Sequence, residues 1–170
     1  MRSSAFAPLL GLIAGCSATQ VGFSNVDDLE SMVVTEIDAA STSVHTAIYT
    51  FTSANIEAAL TNAAGRGCEV LVVADAGQSA TVDGMTGLLV NLEEAGVDVR
   101  TSNGYGDKQG VGIMHHKFTV VDDRVVATGS FNYTDAAKNR NDENLVVLAD
   151  ANLAAAYEDA FQELWSRAQD

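Results

Sequence analysis

The chain has 170 residues, of which 47% are hydrophobic and 19% charged, and this composition excludes a disordered or fibrous protein. The length is ordinary for one globular domain. The net charge is −14, from 23 acidic and 9 basic residues, so the surface should repel polyanions and anionic membranes at long range. This disfavours tight non-specific binding to nucleic acid, although a local basic cleft remains compatible with it. Adaptation to high salt and an ordinary acidic domain fit the charge equally well.

The first residues have the pattern of an export signal. An apolar run follows Arg2 and is too short to span a bilayer, which indicates a processing segment over residues 1–15. It ends in Ile-Ala-Gly-Cys, which resembles the lipobox of bacterial lipoproteins. The resemblance implies that Cys16 is lipidated and that the protein is an exported, membrane-anchored lipoprotein on the periplasmic or cell-surface side. A plain signal peptide cut nearby is the alternative. Cys68 is then left without a partner and is expected in the core.

The predicted elements of the first half follow from hydrophobic periodicity. After a linker over 17–25, apolar residues at helical spacing from Val26 to Ala40 predict a helix capped by Ser24 or Asn25. The further elements are a strand over 43–51, a helix over 53–64, a continuous apolar strand over 69–75, a helix over 85–95 and a strand over 97–101. His45 lies in the middle of an apolar strand and is interpreted as a core or edge histidine.

The second half is predicted to contain a β-hairpin and a closing helix. Two β-branched runs, 117–121 and 124–128, are joined by a polar Asp122-Asp123 turn. A helical turn after Asn132 and a strand over 144–148 follow. In the last helix Leu153, Tyr157, Phe161 and Leu164 share one face, interpreted as core. The alternation predicts a single α/β domain over 26–168, with a mixed β-sheet sandwiched between helices.

Polar residues recur at fixed spacing along the hairpin, in the order His115, Lys117, Asp122, Gly129, Ser130 and Asn132. Side chains alternate along a strand, so those of His115 and Lys117 should project to one side and that of His116 to the other. An imidazole and an ammonium beside hydroxyl and amide groups are suited to holding a phosphate and attacking its phosphorus. Adjacent histidines that point apart do not share a metal, and the two cysteines and three histidines have no zinc-site spacing. No metal or cofactor is therefore expected.

This run resembles the HKD motif of the phospholipase D superfamily, and the resemblance extends to Glu143 and over roughly residues 26 to 168. It implies a phospholipase D-like fold and a phosphodiester hydrolase in which His115 forms a phosphohistidine. Lys117, Ser130 and Asn132, next to Gly129, are expected to bind and neutralise the phosphate. Glu143 is expected to fix the tautomer of His115. Asp122 resembles the aspartate of the motif and is expected either to orient the opposing base or to cap the hairpin turn.

The chain carries one such motif, whereas the leaving alkoxide needs a proton from a second histidine. Larger members of the superfamily carry two motifs and the smallest ones dimerise, which implies a homodimer that shares one active site. Small members include low-specificity bacterial endonucleases and a mitochondrial outer-membrane member described as a cardiolipin hydrolase or an RNA nuclease. The leading expectation is therefore a phosphodiesterase acting on nucleic acid. The alternative is a phospholipase D acting on membrane phospholipid. An inactive binding module is disfavoured, because every catalytic residue type is present.

Overall fold

One mixed sheet of seven strands organises the part of the chain that the computed structural model describes, residues 19–105 and 112–169. The strands are β1 Gln20–Phe23, β2 Ser43–Ile48, β3 Glu69–Asp75, β4 Asp98–Ser102, β5 Lys117–Val121, β6 Val125–Gly129 and β7 Asn144–Leu148. Their order in the sheet is β1-β7-β6-β5-β2-β3-β4. β2, β3 and β4 run parallel, and the other neighbouring pairs are antiparallel. The predicted mixed sheet is confirmed.

Helices cover both faces of this sheet. They are α1 Leu29–Ala39, α2 Ala54–Gly65, α3 Ala76–Thr81, α4 Met85–Glu94, α5 Asp135–Asn139 and α6 Ala151–Arg167. α1, α2 and α4 contribute Ile37, Leu60 and Leu92 to the larger core on one face. α6 packs Phe161 and Leu164 into a second core on the other face. The predicted sandwich is therefore confirmed.

The beginning of the fold differs from the prediction. α1 begins at Leu29, because the carboxylate of Asp28 accepts the backbone N–H of Ser31 at 3.1 Å and caps the helix there. Val26 lies before the helix and is 77% exposed. The predicted cap, Ser24, donates its hydroxyl to the carbonyl of Asn141 instead. Within the predicted linker the structure has the edge strand β1, which pairs with β7.

The closing helix follows the prediction in part. Phe161 and Leu164 are buried as expected, whereas Tyr157 is half-buried and Leu153 is 44% exposed. α6 packs mainly against β2, β4, β5 and β6 rather than against the sheet margin formed by β7 and β1. On that margin Val21 and Phe23 are exposed by 57% and 51%. They project to the α6 face, since the intervening Gly22 faces α1.

Two further predictions about buried residues are confirmed. His45 is 5% exposed, stacks on Phe161 with ring centroids 5.0 Å apart, and its Nδ1 lies 2.8 Å from a carboxylate oxygen of Glu158. Cys68 is buried and its thiol is free. Among the described residues, no helix combines the length and the apolar character needed to cross a membrane. Cys16 and the rest of 1–18 lie outside the described residues.

Candidate active site

Strand pairing brings the motif residues to one edge of the sheet. β5 begins at Lys117, which pairs with Ile48 at the end of β2, and His115 lies two residues before Lys117. On its other side β5 pairs with β6, which ends at Gly129. Antiparallel pairing therefore places the start of β5 between the ends of β2 and β6. This topology gathers His115, Lys117 and Gly129 although they are far apart along the hairpin.

The side chains of His115 and Lys117 meet on one aromatic ring. Tyr49 presents its ring to the imidazole of His115 at a centroid distance of 4.5 Å and an interplanar angle of 68°. The ammonium of Lys117 lies 5.1 Å from the centroid of the same ring and donates to the backbone carbonyl of His115 at 3.0 Å. The ring of His116 packs against Phe118 instead, at 5.4 Å. The two histidines therefore have different ring partners, as the alternation of side chains predicts, although both line the groove described below.

The return strand brings Ser130 to Glu143. A Cβ on Gly129 would lie 2.3 Å from the carbonyl oxygen of Asn144, so only glycine allows β6 and β7 to approach this closely. Ser130 then donates its backbone N–H to that carbonyl at 3.1 Å and its hydroxyl to the carboxylate of Glu143. Asn141 donates its side-chain amide to the other carboxylate oxygen at 3.0 Å. Glu143 is thus held at the start of β7, facing Ser130.

Asn132 follows Ser130 in the loop before α5 and is half-buried. Its side-chain oxygen is buried and accepts no hydrogen bond from any of the described residues. Buried amide oxygens normally have a donor, so this one is available to a group that the single chain does not supply. Because this atom accepts hydrogen bonds, it would not bind a phosphate oxygen; that role would fall to the side-chain N–H groups of Asn132 and stays a prediction.

The environment favours a neutral imidazole beside a cation. Burial and the positive charge of Lys117 lower the pKa of His115, with the carboxylate of Asp75 opposing them. Burial also lowers the pKa of Lys117, while the negative charge of Glu143 opposes that change. An imidazole that is neutral at physiological pH has a free lone pair, which is what a nucleophile requires.

Asp122 does not join this cluster. It lies five residues beyond Lys117 at the other end of β5, which corresponds to about 16 Å along the strand. Its carboxylate accepts hydrogen bonds from Ser41, Thr42 and Ser43 at the start of β2. Burial raises the pKa of Asp122, but these hydrogen bonds outweigh that effect and lower it from 3.8 to about 2. Of the two roles expected for Asp122, this geometry favours the one at the turn, because its carboxylate lies away from His115 and Lys117 and binds the residues that lead into β2.

The turn itself explains why an aspartate is tolerated there. Asp122 and Asp123 have φ angles of 52° and 53°, the left-handed values that the central residues of a type I′ turn adopt, and the N–H of Arg124 closes this turn on the carbonyl of Val121 at 3.0 Å. Short polar side chains such as those of Asp and Asn adopt this conformation more readily than other residues besides glycine. The carboxylate of Asp122 consequently fixes the hairpin to the residues that lead into β2.

Sequence reasoning missed two residues that contact the motif. Tyr49 follows β2 and gave no local signal, because its position depends on the pairing of β2 with β5. Asp75 is 2% exposed and accepts the backbone N–H groups of Gln78 and Met114, both at 2.8 Å. It thereby fixes the residue directly before His115. A signal for Asp75 existed, since it ends an apolar strand and ligands bind near the carboxyl ends of such strands.

A groove of about 380 Å³ opens between the start of β5 and α6. Its lining comprises His115, His116, Lys117, Phe118, Thr128, Gly129, Ala156, Tyr157 and Ala160. Within 19–105 and 112–169, no group of three or more His, Cys, Asp or Glu side chains is placed to hold a metal ion.

Comparison with known proteins places the fold and the motif in context. A family model described as "Cardiolipin synthase, PLD-like domain" matches residues 33–165. The mitochondrial cardiolipin hydrolase of Xenopus laevis is 33% identical over 158 residues, which cover 93% of this chain and 70% of that protein. A phospholipase D of Rickettsia conorii is 35% identical over 125 residues, 74% of this chain and 58% of that protein.

Solved structures agree with these relatives. The phospholipase D family member Nuc from Salmonella typhimurium superposes with a TM-score of 0.82 at 32% identity, covering 90% of this chain and 97% of that one. NucT from Helicobacter pylori superposes with a TM-score of 0.78 at 25% identity, over 89% of this chain and 99% of that one.

Proposed function

This chain belongs to the phospholipase D superfamily of phosphodiester hydrolases, and we propose that it cleaves nucleic acid through a phosphohistidine formed on His115. The observation that carries the proposal is the meeting of His115 and Lys117 on the ring of Tyr49 at the sheet edge. One side chain supplies a neutral nitrogen nucleophile, and the other supplies a fixed positive charge beside it. The exposure of His115 makes this pair accessible to a phosphodiester within a polymer.

In the first step, Lys117, Ser130 and Asn132 neutralise the anionic oxygens of the phosphodiester. A ring nitrogen of His115 then attacks the phosphorus, forming a P–N bond while the bond to the leaving oxygen breaks. The leaving alkoxide takes a proton from a second, protonated histidine. In the single chain the carboxylate of Glu143 accepts from Ser130 and Asn141; its expected role of accepting the other ring N–H of His115, and so fixing the tautomer, stays a proposal.

In the second step, water attacks the phosphorus and the P–N bond breaks. The second histidine, now neutral, takes a proton from this water and returns to its starting state. His115 leaves as a neutral imidazole, and the phosphate monoester is released. No step uses a metal ion, because Lys117 and His115 supply the positive charge and the nucleophile.

The second histidine is proposed to be His115 of another copy. Val21 and Phe23, which are both exposed on one face of the edge strand β1, are proposed as part of the contact surface between the copies. Apolar residues that share an exposed face indicate a contact surface. A two-fold axis repeats the same surface on both subunits and places the same residue of each copy opposite the other.

Refolding of mixed chains tests the shared site. When wild-type and His115→Ala chains are refolded in equal amounts, about a quarter of the dimers contain two wild-type chains. Activity should fall to roughly half that of the same wild-type chains refolded alone at equal dimer formation, by this pairing argument. Undiminished activity despite mixed dimers would mean that each subunit is self-sufficient.

A charge on the proposed surface tests its location. Phe23→Asp should give monomers in sedimentation and lose activity, because a carboxylate would be buried against the partner. Val90→Asp is the matched control, since Val90 is 44% exposed but belongs to α4 on the opposite face. A dimeric, active Phe23→Asp protein would remove this surface from the proposal and leave the chemistry intact.

Substrate choice needs a direct comparison. Protein from Ser17 onward should be tested on single-stranded DNA, RNA and phospholipid vesicles, with His115→Asn as the control. We expect cleavage of nucleic acid that is absent from the control. Phospholipid hydrolysis is the second candidate, favoured by the 33% identity to a mitochondrial cardiolipin hydrolase. Turnover of vesicles alone would establish that candidate and reject the nucleic-acid substrate.

The membrane anchor remains a proposal about residues outside the described part of the chain. A diacylglyceryl group on Cys16 would supply the two acyl chains that stable anchoring requires. Cys16→Ser should therefore release the protein from membranes or stall its processing. Unchanged membrane fractionation of this variant would contradict lipidation.

A further inference from the structure

We infer that Tyr49 is a positioning residue for the nucleophile and its neighbouring cation. The inference rests on the proposed function, because it assumes that His115 and Lys117 perform the chemistry. Three contacts carry it: the edge contact of the ring with His115, the ammonium of Lys117 near the ring, and the Tyr49 N–H donated to the carbonyl of His116 at 2.9 Å. Tyr49 thus contacts the three consecutive residues 115–117 that lead into β5.

The ring restricts two side chains that would otherwise rotate. His115 is exposed, and Lys117 is half-buried with a long flexible stem. An aromatic face attracts an ammonium, and an aromatic ring prefers an edge-to-face arrangement with a second ring. Both preferences act through one side chain, so Tyr49 fixes the imidazole relative to the ammonium. Holding reacting groups in place before substrate arrives lowers the barrier, because little orientational freedom is left to lose.

A packing role does not account for this tyrosine. Phe51, two residues later, is fully buried and packs against Tyr133 in the core. Tyr49 is half-buried, and its ring contacts His115 and Lys117. Its position relative to them is set by the backbone, since Ile48 pairs with Lys117 in the sheet.

Substitution of Tyr49 separates the ring from its hydroxyl. Tyr49→Phe keeps the ring and should retain kcat within about twofold on a small phosphodiester such as bis(p-nitrophenyl) phosphate. Tyr49→Leu keeps apolar bulk and should lower kcat by at least about tenfold while KM changes less, because orientation and not binding is lost. Tyr105→Leu is the matched control, because Tyr105 also has a cation on its ring, the guanidinium of Arg167 at 4.1 Å from the ring centroid. The hydroxyl of Tyr105 donates to Glu163.

The split between kcat and KM separates positioning from a merely structural role, and nuclear magnetic resonance of the imidazole tests the ring contact itself. The Hε1 resonance of His115, assigned with His115→Asn, should shift in Tyr49→Leu at an unchanged melting temperature and stay in place in Tyr105→Leu. Wild-type kcat in a folded Tyr49→Leu protein would overturn the inference, as would a Tyr49→Phe protein as slow as Tyr49→Leu. If the Tyr49→Leu protein does not fold, Tyr49→Met replaces it in the test, since methionine fills irregular space without a ring. An inactive wild-type protein would instead reject the proposed function, and the resonance shift would still test the contact.

Discussion

Replacing Asp122 by asparagine should reduce stability and leave catalysis nearly intact. Asparagine keeps the left-handed backbone that φ of 52° requires; it removes the charge and replaces one of the two accepting oxygens with a donating amide group. A carboxyl whose pKa falls from 3.8 to about 2 on folding contributes about 2.5 kcal/mol at neutral pH. Because this carboxylate is partly exposed, solvent screening reduces the expected loss to about 1–2 kcal/mol. For a chain of this size, the melting temperature should fall by about 2–8 °C.

The pH dependence follows from the direction of the pKa change. A carboxyl with a depressed folded-state pKa stabilises the protein above its ordinary pKa, and the contribution is lost as pH falls through the depressed value. The difference between wild type and Asp122→Asn should therefore be constant above pH about 5 and should shrink between pH about 4 and 2. Urea unfolding across this range measures it. Asp123→Asn is the matched control, since Asp123 has φ of 53° and makes the same charge change.

The catalytic outcome decides which role Asp122 has. Well below the melting temperature, kcat of Asp122→Asn should stay within about twofold of wild type, because its carboxylate lies about 16 Å along the strand from Lys117. A loss of about 100-fold in kcat at unchanged stability, equal to nearly 3 kcal/mol in the barrier, would refute this reasoning and return Asp122 to the reaction.

Further predictions concern the site and the second core. Lys117→Ala should lower kcat by about 100-fold or more. His116→Ala should keep most activity, because the ring of His116 packs on Phe118. Comparable losses of kcat in the two variants would contradict this difference in role between Lys117 and His116. Activity should survive a chelator, and its loss with recovery on adding a divalent ion would contradict metal independence. Burial lowers the pKa of His45, but Glu158 outweighs it and raises the pKa above 6.5, while the pKa of Glu158 falls below 4.5. The ion pair therefore contributes fully to stability between pH 4.5 and pH 6.5. This contribution is lost at higher pH as His45 deprotonates and at lower pH as Glu158 protonates. Glu158→Gln should therefore destabilise the protein by about 1.5–3 kcal/mol at pH about 5.5 and by less at pH about 9 in urea titrations; an equal loss at both would contradict the ion pair.

Local patterns were sufficient to predict most of the fold. The apolar run of β3 matches the predicted strand residue for residue, and the helix predicted over 53–64 is present as α2, with Ser53 as its cap and not its first residue. The hairpin of β5 and β6 was also predictable, because β-branched runs and a polar two-residue turn are both local signals. β1 was missed, since four residues at a sheet edge have little periodicity and their pairing partner lies more than a hundred residues away.

The site was predictable to the extent that the motif is contiguous. His115, Lys117, Gly129 and Ser130 meet because a hairpin brings neighbouring strands together. Tyr49 could not be predicted, since its contact depends on the pairing of β2 with β5 across nearly seventy residues. The separation of Asp122 from the others was implicit in strand geometry, because five residues of extended chain span about 16 Å.

Trapping the covalent intermediate tests the central proposal most directly. Wild-type protein and His115→Asn are mixed with a phosphodiester labelled at phosphorus and quenched in alkali, in which a phosphohistidine survives. Peptide mapping then locates the label. We expect label on the peptide that contains His115 in wild type, none in His115→Asn, and no turnover by that variant at an unchanged melting temperature. Label on another residue, or substantial turnover by His115→Asn, would contradict the assignment of His115 as the nucleophile.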